Sequence, residues 1–272
     1  MKLKHLPYMF GRKVEPVTYG YELQSFSLDG QTVQFAQWQH PGNTVIPLSE
    51  SMLTDLRSFL RPGDVAIDAG AYTGDLSVPI ALVTGPTGAV LAFEPNPYVF
   101  TILQANAALN SGSVNILPLN FAATKEDGPV KFEYSDPGYC NGGRHEGISS
   151  LRHGHVFPLT VNGRNPQQFL QRQYADLLPR LRYVKVDAEG YDLTVLQSME
   201  ELLVQYRPFV TAEVFRWSSR KTRSALYKYL QRINYSIYRV REGSYFVGEE
   251  KLAETDMGTR AHFDIFCVPE AI

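Results

Sequence analysis

The sequence predicts an α/β domain built on a mostly parallel sheet, and three observations carry that prediction. From Val65 onward, short apolar runs alternate with stretches of helical period, the pattern of strands joined by crossover helices. Two Asn-Pro pairs, Asn96-Pro97 and Asn165-Pro166, each supply an N-cap and a first helical residue between such runs. The first run, 65–69, leads into a turn carrying Gly70 and Gly74, as the first strand of an open α/β sheet does where it meets a ligand.

At 272 residues the chain is long enough to bury roughly three quarters of the surface its unfolded form exposes. Residues 24–38 alternate apolar and polar around Asp29-Gly30, a pair suited to the positive φ angles of a two-residue turn, so a β-hairpin opens the chain. Residues 49–60 place Met52, Leu53, Leu56, Phe59 and Leu60 at helical spacing before Pro62-Gly63 stops them. Residues 1–60 are expected to form an extension packed on a core domain spanning 61–272. Core strands are expected at 65–69, 90–93, 114–119, 183–187, 209–213, 235–240 and 263–268. Helices are expected at 75–82, 97–110, 167–177, 193–203 and 219–233. The stretch 135–163, rich in Gly, Ser, Asn and His and without a period, reads as a long loop covering a site.

Composition narrows the function. With 26 Lys and Arg against 28 Asp and Glu, the net charge of −2 argues against DNA or RNA as a partner. No run of about 18 apolar residues reads as a membrane span, and the start lacks the basic, apolar, small-residue series of a signal peptide. The cytosol is therefore the expected compartment. Cys140 and Cys267 match no CxxC or Cys/His spacing, so neither a disulfide framework nor structural zinc is expected.

The glycine turn reads D-x-G-x-x-x-G from Asp68 through Gly70 to Gly74. A dinucleotide fingerprint would need a glycine where Tyr72 stands, and a P-loop would need Lys-Ser/Thr after the glycines; neither fits. The second strand ends in Glu94, a carboxylate able to accept from both hydroxyls of a ribose, each charge-assisted bond contributing about 1.5–3 kcal/mol. Glycine turn and acidic strand tip together point to a nucleoside-bearing cofactor.

Four segments now resemble one family. They are DAGAYTG from Asp68, FEPNP from Phe93, NFAA from Asn120, and VKVDAEGYDLTVL from Val184, and they look like the FkbM-type methyltransferases. The resemblance runs from about Leu53 to the C-terminus, with DAEGYDL its most specific part. It implies a Rossmann-like class I methyltransferase fold, with six parallel strands and an antiparallel last strand at 263–268, and it implies S-adenosylmethionine (SAM) as cofactor. Carried onto this chain, Asp68, Ala69, Gly70 and Gly74 would line the methionine and ribose end, with Asp187 beside them, and Glu94 would bind the ribose diol. Pro95, Asn96, Asn120 and Ala122 would flank the adenine. Tyr72 departs from the family, which usually has a small or polar residue there; its ring would lie over the cofactor or lean outward.

Asp187 and Glu189 follow the fourth strand and Glu213 ends the fifth. Open sheets bind ligands outside the carboxyl ends of their strands, so these carboxylates are expected to converge with the cofactor turn. Asp192 reads instead as a residue at a helix start, where negative charge is favourable by about 0.3–1 kcal/mol. Methyl transfer from a sulfonium holds the acceptor oxygen in line, about 3–3.5 Å from the methyl carbon, and removes its proton as the bond forms. Asp187, Glu189 or Glu213 can serve as base; His145 and His153 in 135–163 are alternatives, with an ordinary pKa near 6.5. No metal-ligand spacing is recognised, and a metal-independent mechanism is expected.

The resemblance implies a hydroxyl acceptor on a small molecule or glycan. An NAD-dependent oxidoreductase shares the acidic second-strand tip but needs the glycine that Tyr72 replaces. A base N-methyltransferase would carry Asn/Asp-Pro-Pro-aromatic where this chain has DAEG, and a non-catalytic SAM-fold module would lack Glu94 or Asp187. The hairpin offers a strand edge to a second copy, which leaves a homo-oligomer open.

Overall fold

The structure, a computed structural model, describes residues 15–144 and 155–270. It opens on the expected hairpin, β1 (Tyr21–Leu28) and β2 (Gln31–Trp38), in register from Tyr21↔Trp38 to Leu28↔Gln31. Asp29 and Gly30 make the turn with φ of 55° and 71°, two positive angles whose twist suits paired strands. α1 (Glu50–Arg57) follows, burying Met52, Leu53 and Leu56 against Val33 and Phe35 of the hairpin.

The core then alternates as predicted through β3 (Val65–Ala69), α2 (Ser77–Thr84), β4 (Ala89–Phe93), α3 (Pro97–Leu109) and β5 (Ile116–Leu119). Asn96 caps α3 by accepting from the Tyr98 N–H at 3.0 Å. An insertion comes next: β6 (Ala122–Ala123), β7 (Gly128–Tyr134), β8 (Gly142–Gly143) and β9 (Phe157–Arg164) form a separate sheet in the order β6-β9-β7-β8. The rest of the core is α4 (Pro166–Gln173), β10 (Leu181–Val186), α5 (Asp192–Gln197), α6 (Glu200–Tyr206), β11 (Phe209–Val214), α7 (Arg220–Arg232), β12 (Tyr235–Val240), β13 (Gly248–Lys251) and β14 (Phe263–Pro269).

The main sheet has the order β13-β12-β14-β11-β10-β3-β4-β5. β5, β4, β3, β10 and β11 are parallel neighbours, and β14 runs antiparallel between β11 and β12. The seven expected strands are all present, six pointing one way and the last against them, which is the Rossmann-like methyltransferase arrangement. β13 adds an unpredicted antiparallel edge strand. The chain order reverses at β3, between β4 and β10, and the crevice at such a switch point is where open α/β sheets bind ligands.

Two expectations are corrected. The stretch 135–163 is not a structureless loop, since it contains β8 and most of β9. Pro158 and Gly163 hid a strand whose Phe157, Val161 and Gly163 alternate inward; Pro158 is tolerated because β6 pairs only with Gly163 and Arg164, so β9 is an open edge at that end. The single helix expected over 193–203 is two, α5 and α6. Ser198 Oγ donates to the Val195 carbonyl at 2.6 Å, the competition with helical bonding that serine offers, and the chain turns at Met199. Among the described residues no helix is long and apolar enough to cross a membrane.

Side chains alternate along each strand, so the sheet has two distinct faces. Val65, Ile67 and Ala69, Val184 and Val186, and Val210, Ala212 and Val214 pack with α5, α6 and α7. Ala66 and Tyr183 face α1, α2 and the hairpin instead. Toward the carboxyl ends of the strands, this second face changes from apolar to charged, with Asp68, Lys185, Glu213 and Asp264 in successive strands.

Candidate active site

Asp68 lies fully buried under the first turn, its Oδ2 accepting from Ser77 Oγ at 2.6 Å and its Oδ1 3.2 Å from Lys185 Nζ. Lys185 also donates to the Gly70 carbonyl at 3.2 Å and stands 3.7 Å from Asp187 Oδ2. Burial alone would lower the Lys185 pKa, but Asp68, Asp187 and Asp75 outweigh it and hold the ammonium charged. Lys185 thus ties the tips of β3 and β10 together from beneath.

Gly70 has a φ of +86°, and a Cβ there would stand 2.0 Å from the Asp187 carbonyl oxygen. The glycine is required by the meeting of two backbone turns. Gly74, at φ +90°, would bring an added Cβ within 3.0 Å of Leu103 and serves helix packing. Between them Tyr72 sits at φ 51° and sends its hydroxyl to Asn43 Oδ1 at 3.0 Å, with Cys140 Sγ at 3.1 Å. Its ring meets Trp38 edge-on, so it joins the hairpin and the insertion at one wall of the cavity.

Glu94 is buried at the tip of β4, its Oε2 accepting from the Tyr72 N–H at 3.0 Å and its Oε1 from the Asn96 N–H at 2.8 Å. Burial pushes its pKa up to about 8. Asn120 Nδ2 donates to the carbonyls of Glu94 and Pro95 at 2.8 and 3.2 Å, fixing that turn from outside.

These elements enclose a cavity of about 470 Å³. Of the residues predicted to hold a cofactor, Ala69, Gly70, Tyr72, Glu94, Pro95 and Asn96 line it. Ala122 and Asp187 do so as well, whereas Asp68, Gly74 and Asn120 stand behind the lining. Glu189 and Glu213, predicted for catalysis, face the same space. His145 and His153 fall outside the described residues.

The side of the cavity formed by the ends of β10 and β11 is crowded with carboxylates. Burial, reinforced by Asp187, pushes Glu189 up to about 8 and Asp192 to about 7. Glu213 is pushed up to about 11 by burial and then by Asp187, Asp192 and Glu189. Asp192 Oδ1 accepts from the Glu213 N–H at 3.2 Å and its Oδ2 from the Gly190 N–H at 3.1 Å, so it braces the turn at the start of α5. The residues lining the cavity that sequence reasoning did not place there include Asp75, Lys185, His262 and Asp264. Lys185 had a signal, a lone cation in the apolar run of a buried strand, which needs a partner.

A family model described as the methyltransferase FkbM domain matches residues 68–237, from the buried Asp68 into β12. The chain belongs to the FkbM methyltransferase family. SAM is the methyl donor of this family. Among curated relatives, the hexuronic acid methyltransferase AglP of Haloferax volcanii is 32% identical over 151 residues, covering 56% of each chain. The methyltransferase sdnD of Sordaria araneosa is 28% identical over 156 residues, 50% of this chain and 60% of that one. The match therefore spans less than two thirds of the length of either relative. Solved structures similar to this chain include the FkbM methyltransferase of Methylobacillus flagellatus KT, with a TM-score of 0.45 and 13% identity over 80% of this chain and 51% of that one. Aeropyrum pernix fibrillarin with bound SAM gives 0.43 and 12% over 94% and 100%.

Proposed function

We propose that this FkbM-family chain transfers the methyl group of SAM to a hydroxyl of a small molecule or glycan, with a hexuronic acid as the acceptor to try first. The observation that carries the reading is Glu94. Its two backbone bonds occupy about half of the roughly four acceptor positions of a carboxylate, which leaves lone pairs for a ribose diol in the cavity.

The cavity's charge fits the donor too. SAM carries a sulfonium and an ammonium against one carboxylate, and among the described residues the lining holds Asp75, Glu94, Asp187, Glu189, Glu213 and Asp264 against the buried Lys185. Glu94 would hold the ribose, the Gly70 turn and Asp75 the methionine end, and Asn96 and Ala122 the adenine. When bound, SAM supplies an electrophilic methyl group. The chain's part is to hold the acceptor in line and to keep water out, and Asp187, half exposed in the cavity, would accept a hydrogen bond from an acceptor hydroxyl. AglP, named for hexuronic acid, supports the same acceptor class.

Calorimetric titration with SAM, S-adenosylhomocysteine and NAD⁺ tests this. Micromolar binding of the adenosyl ligands without NAD⁺, weakened at least about tenfold by Glu94→Gln, is expected, since losing a charge-assisted bond costs about 1.5–3 kcal/mol. Incubation with SAM and a panel of uronic acids, read by mass spectrometry, then finds the acceptor. Binding of NAD⁺ in place of SAM would overturn the reading.

A further inference from the structure

β14 enters the sheet beside β11 with Phe263 opposite Val214 and Asp264 opposite Glu213. Phe263 packs into the core against α5–α7, so strand alternation puts Asp264 on the other face, and His262, two residues before it, follows to the side of Glu213. His262 Nδ1 lies 3.3 Å from Glu213 Oε1, and both residues line the cavity. The imidazole is 48% exposed, while the Glu213 side chain is only 7% exposed. Glu213 Oε2 is buried with no hydrogen-bond partner among the described residues. Of the other described histidines, His40 pairs with Asp136 at 2.8 Å and His155 packs edge-on to Trp217, and neither lines the cavity. The family match ends at residue 237 and so assigns nothing to His262.

We propose that His262 is the general base that takes the proton of the acceptor hydroxyl, and that Glu213 is the positioning residue that selects its basic tautomer. The inference rests on the methyl-transfer reading above. Without ligand, the protonated Glu213 carboxyl donates to Nδ1 and the ring proton sits on Nε2. Burial lowers the His262 pKa, Asp187 opposes that, and Arg216 and Arg223 add to it, so the ring is neutral near pH 7. Asp187, Glu189, Asp192 and Asp264 also face Glu213 from β14, α5 and the turn before it, and favour its protonated form.

A cation in the cavity offsets the repulsion from Asp187, Asp192 and Glu189 and, together with the proton-accepting imidazole 3.3 Å away, favours the Glu213 carboxylate. The Glu213 proton passes to Nδ1, the Nε2 proton leaves to solvent, and one proton is released in all. Nε2, on the far side of the ring from Glu213, then carries a lone pair. As the O–CH3 bond forms and the S–CH3 bond breaks, with its electron pair left on sulfur, the hydroxyl proton moves to Nε2. The carboxylate of Glu213 stabilises the imidazolium until water takes the proton. General-base catalysis of this kind contributes about 10²–10⁴-fold in rate.

Nitrogen NMR of protein labelled with ¹⁵N-histidine tests this without turnover, because the protonated and bare ring nitrogens resonate far apart. The His262 signals are those missing from His262→Gln. SAM is expected to move the bare nitrogen from Nδ1 to Nε2, S-adenosylhomocysteine, with its neutral thioether, to leave it in place, and Glu213→Gln to abolish the change. SAM binding by calorimetry with an unchanged His262 tautomer would overturn this inference alone, as would the same change with S-adenosylhomocysteine or in Glu213→Gln. Failure of SAM to bind would overturn the methyl-transfer reading and the inference with it.

Discussion

Gly70→Ala tests whether the cavity is built by the meeting of two backbone turns. A Cβ at this position would stand 2.0 Å from the Asp187 carbonyl oxygen and 3.0 Å from its carbon. The tips of β3 and β10 would have to part by about 1 Å to restore even a tight contact, against bonds that hold them in place. Asp187 N–H donates to the Ala69 carbonyl at 2.9 Å and Gly70 N–H to the Phe93 carbonyl at 3.0 Å. The left-handed φ of +86° adds about 1–2 kcal/mol for any residue with a Cβ, and the forced overpacking a further 1–3, roughly 2–5 kcal/mol together. Gly30→Ala is the control, because Gly30 has a similar φ of +71° and nothing within 4 Å of an added Cβ. It should cost only the conformational part, about 1–2 kcal/mol. Urea unfolding of the two variants separates clash from strain, and Gly70→Ala is expected to lower Tm by roughly 5–15 °C. If Gly70→Ala were no more destabilising than Gly30→Ala, the close approach of the two turns would not be what requires the glycine.

Lys185→Met removes the cation from a fully buried Asp68 and is expected to cost about 3–5 kcal/mol in urea unfolding. Replacing both partners, in Lys185→Met with Asp68→Leu, should recover much of that loss; a double variant weaker than the single one would refute the pairing. Stability of the unliganded protein should fall as pH rises from 5 to 8. Burial holds Glu94 and Glu189 at about 8, Asp192 at about 7, and Asp75 and Asp264 at about 6, all above their unfolded values. The folded state therefore binds more protons than the unfolded one in this window, and that stabilisation is complete below about pH 4 and lost as each group ionises. Thermal melts from pH 5 to 8 check it, and a midpoint that is flat or rises would count against the buried acids.

Parts of this fold were legible because the chain signals them locally. Asp29-Gly30 and Asn96-Pro97 commit the backbone within a few residues, and the runs at 65–69 and 209–213 are apolar because both faces of a parallel sheet are covered. The site was legible where it sits on those strands, as with Glu94 and Asp187. What stayed hidden depends on partners distant in sequence. Nothing near His262 announces Glu213; their meeting follows from β14 inserting antiparallel beside β11. The period of two along 262–266, with Phe263 and Ile265 in the core, was the usable signal, since it sets His262 and Asp264 on one face. The close approach of the Asp187 carbonyl to Gly70 stayed hidden, because a glycine needed by another backbone and one facing a ligand leave the same mark on a sequence.

The charge of the cavity also bears on turnover. Carboxylates held at about 6 to 8 are partly protonated near neutral pH, so they respond to what is bound rather than presenting a fixed charge. A cationic donor favours their ionised forms, and at about 5 Å with an effective dielectric near 20 one such pair is worth roughly 3 kcal/mol before the cost of losing the proton. The spent donor has lost its sulfonium charge and forfeits that attraction, so the same carboxylates that draw the donor in let the product go, and protons return to the cavity as it leaves. On the proposed reading, the acidic lining thus favours the donor over its product by electrostatics alone, and Lys185, buried beneath the lining and already engaged by Asp68, does not cancel it.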